Sequence, residues 1–320
     1  MKLTGADLKA KYLGAMVGSA LGDAIGEVAF WNRQRERLRV AVEGLEQLRY
    51  TDDTAMAIGL AESILEKRHI DQQHLGDTFS RNFFREPGRG YAAGPPTIFS
   101  LVRSSGISYV EAARRLFGGE GSLGNGAAMR IAPVGLVFHG SEDLYQAAAA
   151  SAEVTHAHPV GMDGAAILAW AIGQAVELNP NRGFSSPAFV RGLIDVSRTE
   201  RNRSKLEQVR ALIEDEIPPP IAADQLGRSV AVDESMPFAI YSFLRYPQSF
   251  EECLFCATLH GGDRDTLGAM AGALSGAYLG IEAIPSPWRQ KLENRDLIEG
   301  LAASLYELTL QGGGLKSASP

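Results

Sequence analysis

Apolar positions in this chain recur every three to four residues almost throughout, and strict alternation is nearly absent, so the pattern predicts helices rather than strands. Helical segments, separated by Gly, Pro and Asn, are expected at about 5–26, 54–67, 71–84, 107–116, 142–153, 161–177, 187–197, 202–215, 235–245, 249–259, 266–280 and 294–310. One stretch, Arg39-Val40-Ala41-Val42, reads as a short strand, and the all-α expectation does not depend on it. Pro218-Pro219-Pro220 reads as a rigid connection inside one unit, because related chemistry lies on both sides of it. A single domain over residues 1–320 is expected.

Two of these helices carry glycine in a stripe. Gly14, Gly18, Gly22 and Gly26 fall every four residues, and so do Gly268, Gly272, Gly276 and Gly280. Residues at that spacing share one helix face. Interior glycine costs a helix about 1 kcal/mol relative to Ala, so two stripes imply close backbone approach, with each other or with a common neighbour. The membrane version of this spacing, a G-x-x-x-G pair, is set aside because Asp23, Glu27 and Asp265 flank it.

Each of two acidic clusters runs into such an apolar, small-residue segment: Thr51-Asp52-Asp53-Thr54 and Asp263-Arg264-Asp265-Thr266. Asp and Thr are good helix caps, which is the ordinary reading of either cluster alone. The recurrence points instead to two halves of one metal site. Carboxylate and hydroxyl oxygens are hard ligands that suit Mg²⁺, Mn²⁺ or Ca²⁺ rather than zinc or copper. Four converging carboxylates repel, so without a cation at least one should hold its proton unusually tightly.

Composition narrows the field. With 320 residues, 45% hydrophobic and 22% charged, the chain is of ordinary globular type. A net charge of −7 argues against a general nucleic-acid binder. Cys253 and Cys256 are too few for a disulfide scaffold or a four-cysteine zinc site and read as core thiols, as in a reducing cytoplasm. The Gly- and Ala-rich run from Tyr12 to Leu21 is a poor signal peptide, and Asp23 and Glu27 interrupt it too soon for a membrane span. No membrane partner is expected, and oligomeric state is not readable.

Between the clusters, Gly119-Glu120-Gly121-Ser122-Leu123-Gly124-Asn125-Gly126 contains G-x-G-x-x-G. The preceding Val110–Leu116 stretch is helical in pattern, so the strand that a dinucleotide fold requires is missing. The loop is either a tight turn or a backbone cradle whose N–H groups bind a diphosphate. His156 and His158 point to different sides, so they do not share a metal. Phe117 is a core residue or a platform for a base, and Glu27 an active-site acid or a solvent-facing charge.

With these residues in view the chain resembles the ADP-ribosylglycohydrolases, the family of the ADP-ribosyl-acceptor hydrolases and the dinitrogenase-reductase activating glycohydrolase. The resemblance spans nearly the whole length. It rests on Gly22-Asp23-Ala24-Ile25-Gly26, Tyr50-Thr51-Asp52-Asp53-Thr54, Gly261-Gly262-Asp263-Arg264-Asp265-Thr266 and the glycine-striped helix that follows. Gly88-Arg89-Gly90-Tyr91, Gly121–Gly126, Thr155-His156-Ala157 and Ser235–Tyr241 resemble the third vertebrate type, which cleaves O-linked ADP-ribose. That branch acts on serine-ADP-ribose, poly(ADP-ribose) and O-acetyl-ADP-ribose, whereas another acts on arginine-linked ADP-ribose.

The resemblance implies an all-α orthogonal helical bundle with two Mg²⁺ ions, Mn²⁺ being an admissible substitute. It implies metal ligands at Thr51, Asp52, Asp53, Asp263, Asp265 and Thr266. It implies ADP-ribose contacts at Gly121, Ser122, Gly124 and Asn125, with Phe117 near the adenosine and His156 near ribose and phosphate. Partners would be ADP-ribose-modified protein or ADP-ribose derivatives. Catalytic roles fall to Asp265 and Glu27, with one departure: an ungapped comparison puts Phe30 where the family carries a glutamate on a mobile loop. Leu123 likewise replaces a tyrosine.

Overall fold

The computed structural model describes residues 3–311 and contains seventeen α-helices among them. In chain order these are α1 (Gly5–Ala29), α2 (Arg35–Gly44), α3 (Asp52–Lys67), α4 (Gln72–Arg85), α5 (Gly94–Ser105), α6 (Tyr109–Arg114), α7 (Ala132–Val137), α8 (Leu144–Glu153) and α9 (Pro159–Glu177). They continue with α10 (Ser186–Val196), α11 (Glu200–Glu214), α12 (Pro219–Leu226), α13 (Val232–Arg245), α14 (Phe250–His260), α15 (Arg264–Leu279), α16 (Ser286–Lys291) and α17 (Arg295–Gln311). No strand forms among the described residues. Only two isolated bridges occur there, Leu48 with Leu292 and Gly124 with Ala231.

The glycine stripes face each other. A Cβ on Gly14, Gly18 or Gly22 would collide with the carbonyl oxygen of Gly276, Gly272 or Gly268 respectively, and one on Gly26 with that of Arg264. Each step of four up α1 is thus a step of four down α15, an antiparallel register held over the length of both helices. The two backbones touch without side chains between them, which is the compensation that seven interior glycines require, Gly280 being the C-cap of α15. Around this pair the core is closed by α9, α13, α14 and α17. Tyr12, Leu21, Ile25, Met270, Leu274 and Tyr278 are buried there.

Several elements depart from the sequence pattern. Arg39–Val42 lies inside α2, which buries Leu38 and Val42 one turn apart, so the strand reading gives way to a short amphipathic helix. Helices α5, α7, α12 and α16 were not expected, and all four carry Pro in the first turn. Proline there lacks an N–H that would have no intrahelical partner anyway, so it opens a helix instead of punctuating one. Pro219 and Pro220, read as part of a rigid connection, accordingly begin α12. The two acidic clusters sit at helix starts two residues earlier than the pattern suggested, with Asp52 opening α3 and Arg264 opening α15.

Two substitutions separate close packing from helix propensity. Gly22→Ala is expected to cost about 3 kcal/mol or more in urea denaturation, because its methyl group meets backbone that cannot step aside. Gly300→Ala, inside α17 with no atom near its would-be Cβ, is expected to stabilise by about 0.5–1 kcal/mol.

Candidate active site

The antiparallel register carries the end of α1 to the start of α15, and α1 also holds the start of α3. The contact that joins α1 to α3 is Asp23. Fully buried, it accepts hydrogen bonds from the Thr51 and Thr54 backbone N–H groups (2.9 and 3.0 Å) and from their hydroxyls (2.8 and 2.6 Å). These are N-terminal donors of α3, so a carboxylate from another helix does the work of an N-cap. Thr51 makes no side-chain cap of its own, and neither does Asp263 at the start of α15. Ordinary capping therefore does not explain either acidic cluster. Asp23 was quoted in the sequence signature but given no role; an acid on the face of a glycine-striped, otherwise apolar helix was the available signal.

With α3 and α15 so placed, their acids share one region. Burial pushes the Asp52 carboxyl up to about 7, helped by the charges of Asp23 and Asp263 and opposed by Arg130. Burial likewise raises Asp265 to about 8, with Asp263, Asp23 and Asp52 adding to it. Asp53 is held well above the carboxylate range by burial and then by Asp23, Asp265, Asp52 and Asp263. Asp23 is raised to about 6, burial outweighing its hydrogen bonds. These mutual effects put Asp53 and Asp265 within electrostatic reach across 212 positions of chain.

The donors fit a hard divalent cation in kind. Asp53 Oδ1 is buried with no hydrogen-bond partner, an oxygen for which a cation is the natural complement. Thr51 Oγ1 reaches Asp53 at 3.1 Å, and Asn125 Nδ2 donates to Asp263 at 2.7 Å. Thr266 is buried, with its hydroxyl 4.0 Å from the Met129 sulfur. Among the described residues no three His, Cys, Asp or Glu side chains surround one point closely enough to hold an ion as they stand. The residues are thus assembled in one region without forming a closed coordination shell.

The glycine loop borders the acids. Asn125 N–H donates to the Val230 carbonyl and Val232 N–H to that of Leu123, which pins the loop to the start of α13. Gly121 has φ +74°, a conformation that side chains resist. Ser122 Oγ accepts from Gly124 N–H at 3.2 Å, and a Cβ on Gly126 would sit 2.7 Å from His156. His156 thus lies directly against the loop, and its Nδ1 faces the Thr155 hydroxyl at 2.8 Å. Burial and the Arg130 charge pull its pKa down to about 3, so the ring is neutral. Phe117 is 68% exposed with φ +53°, which excludes the core reading. Asn125, expected at a diphosphate, donates its side-chain amide to Asp263 and so ties the loop to the acids.

Arg130 was missed. It is fully buried, donating to the Gly126 carbonyl at 3.1 Å and the Thr155 hydroxyl at 2.8 Å, with its guanidinium 4.6 Å from the Phe79 ring centroid. It joins the glycine loop to the His156 turn and sets a positive charge near Asp52; the visible signal was an arginine inside the apolar run Ala127–Val137. Arg89 has a similar office on the opposite side. It donates to Glu293 at 2.6 Å and stacks 4.3 Å from the Tyr50 ring, holding Gly90 close to Asp52. Glu27 is exposed on the last turn of α1, next to the Gly26 contact with α15, and its carboxylate has no hydrogen-bond partner among the described residues.

The raised carboxyls have a thermodynamic consequence. Their folded pKa values exceed the unfolded ones, so the native state binds more protons and gains stability as pH falls through about 8 to 6.5. Below the ordinary histidine value the buried neutral His156 works the other way. In the presence of a chelator, Tm measured by scanning fluorimetry is expected to rise from pH 8.5 to 6.5. Asp53→Asn, which removes one of the mutually repelling carboxyl groups, is expected to flatten that profile.

Comparisons with known proteins give the family to which this fold belongs. The sequence pattern of the ADP-ribosylglycohydrolase family matches residues 4–314. ADP-ribosylhydrolase ARH3 of Homo sapiens is 31% identical over 342 residues, covering 93% of this chain and 93% of that protein. The Mus musculus protein of the same name is 33% identical over 343 residues, covering 93% and 91%. A solved structure described as an ADP-ribosylglycohydrolase-related protein complex matches with a TM-score of 0.70 at 26% identity, over 95% of this chain and 99% of that one. The chain belongs to the ADP-ribosylglycohydrolase family and is, by that membership, an ADP-ribosyl hydrolase.

Proposed function

We propose that the enzyme is a Mg²⁺-dependent hydrolase of O-glycosidic ADP-ribose linkages, acting on serine-ADP-ribose, poly(ADP-ribose) or O-acetyl-ADP-ribose and so reversing ADP-ribosylation. The observation that carries this reading is the convergence of Asp52, Asp53, Asp263 and Asp265 beside the glycine loop, with one buried Asp53 oxygen lacking a partner. The preference for O-linked substrates is supported by the resemblance of Gly88–Tyr91, Gly121–Gly126, Thr155–Ala157 and Ser235–Tyr241 to the third vertebrate type.

In this reading Thr51, Asp52, Asp53, Asp263, Asp265 and Thr266 would hold two Mg²⁺ ions, or Mn²⁺ in their place. When bound, such ions neutralise the clustered carboxylates, orient ribose hydroxyls and lower the pKa of water. The Gly121–Gly126 backbone with Ser122 receives the diphosphate, neutral His156 contributes a hydrogen bond toward ribose and phosphate, and Phe117 offers its exposed face to adenine. Asp265 orients the attacking water. Glu27 handles the proton at the leaving oxygen, help that is typically worth ~10²–10⁴-fold.

Hydrolysis of arginine-linked ADP-ribose is the second reading, motivated by Leu123 where the third vertebrate type carries a tyrosine. Release of ADP-ribose from serine-linked and arginine-linked peptides, with Mg²⁺ and with chelator, separates the possibilities. Asp265→Asn and Asp53→Asn are expected to lose at least ~10²-fold of the serine-linked activity. Full activity in either variant, or tight ADP-ribose binding without turnover by the unmodified enzyme, would overturn the proposal.

A further inference from the structure

Buried Arg130 is held from several sides at once. Its Nη1 donates to the Gly126 carbonyl at 3.1 Å, and its Nη2 donates to the Ser151 carbonyl at 3.3 Å and to the Thr155 hydroxyl at 2.8 Å. Thr155 is 1% exposed, and its hydroxyl has one further polar neighbour, His156 Nδ1 at 2.8 Å. The protons along this chain of contacts follow from counting. A guanidinium has donors and no acceptor, so the Thr155 oxygen accepts from Arg130. The single hydroxyl proton then goes to the remaining neighbour, His156 Nδ1. A proton on Nδ1 would instead give the Thr155 oxygen two donors and leave its own hydrogen buried without an acceptor, a cost that folded proteins avoid. Nδ1 therefore accepts, and the proton of the neutral ring sits on Nε2.

That Nε2 faces the glycine loop. It lies 2.8 Å from the place of a Cβ on Gly126 and 3.6 Å from that of one on Gly124, whose other neighbour there is Ser122 Oγ. A side chain at position 126 would fill the space in front of the ring. His156 is 7% exposed, and no described residue accepts a hydrogen bond from Nε2. A donor this buried, with no acceptor in the protein, calls for one brought by a ligand.

We infer that Arg130 and Thr155 are positioning residues that hold His156 as its Nε2–H tautomer, so that the ring presents a fixed donor to a phosphate or ribose oxygen of the bound substrate. The inference rests on the proposed function for the identity of that ligand and adds to it how the histidine is set. Arg130 acts on both sides of the contact: through Thr155 it orients the ring, and through the Gly126 carbonyl it fixes the loop that the ring faces.

Proton–nitrogen correlation NMR of the imidazoles, six in the chain, reads the tautomer directly once His156 is assigned by its absence in His156→Gln. The unliganded enzyme at neutral pH is expected to show His156 protonated at Nε2 and hydrogen-bonded at Nδ1. A proton on Nδ1, or a mixture of tautomers, would overturn the inference. Thr155→Val keeps the shape of the side chain without the hydroxyl, and is expected to shift the Nδ1 resonance and weaken ADP-ribose binding about threefold to tenfold in calorimetry, whereas Thr155→Ser retains most of the affinity. In His156→Gln an amide donor stands near the Nε2 position without depending on Thr155, so Thr155→Val should cost little more in that background. Equal losses in the two backgrounds would make the hydroxyl a packing element only and would likewise overturn the inference. Repeating the cycle with ADP distinguishes the acceptors: a coupling that persists places the oxygen on the diphosphate, one that vanishes places it on the distal ribose, and each is a ligand oxygen of the kind required. Because the tautomer is read without ligand, failure to release ADP-ribose from any acceptor would sink the proposed function and leave this inference to be decided by the spectrum.

Discussion

The whole arrangement depends on backbone touching backbone between α1 and α15. Glycine carbonyls on one helix occupy the space that a Cβ on the other would need, at Gly14, Gly18 and Gly22 against Gly276, Gly272 and Gly268. Contact of this kind admits few registers, because a slip along the axis sets carbonyl groups against larger residues. The register in turn decides where chemistry can occur. It sets Gly26 against Arg264 and Asp265, so the C-terminal end of α1 and the acidic start of α15 form one floor.

On that floor the fold tolerates charges that repel. Asp23 gives its oxygens to the first turn of α3 and so holds Thr51, Asp52 and Asp53 facing Asp263 and Asp265. Burying so many carboxylates destabilises the folded chain, and each of the raised pKa values records part of that cost. Nothing in core packing asks for it. An arrangement that weakens the fold yet is held by dedicated hydrogen bonds is the signature of a site kept for function.

The rim is built by different means. The glycine loop is held by backbone hydrogen bonds to the start of α13, by Asn125 on Asp263 and by buried Arg130, which bonds both Gly126 and Thr155. Arg89 pins the opposite loop through Glu293 and Tyr50. Loop backbone close to the acids is therefore pre-positioned, as recognition of a large anionic substrate next to carboxylates requires.

Periodicity alone determined the all-α class, the long central helices and the small faces they must pair, since each of these is a local property of spacing. It also displayed both acidic clusters. Local pattern failed where the deciding group was distant: Pro reads as punctuation until the helix after it exists, and Asp23 has no visible role until α3 arrives to donate to it. Phe117 became an exposed ring, Asn125 a partner of Asp263 and Arg130 a buried strut for the same reason. A stripe of glycines says which face of a helix will be crowded, but which helix crowds it, and in which register, is settled only when two backbones meet.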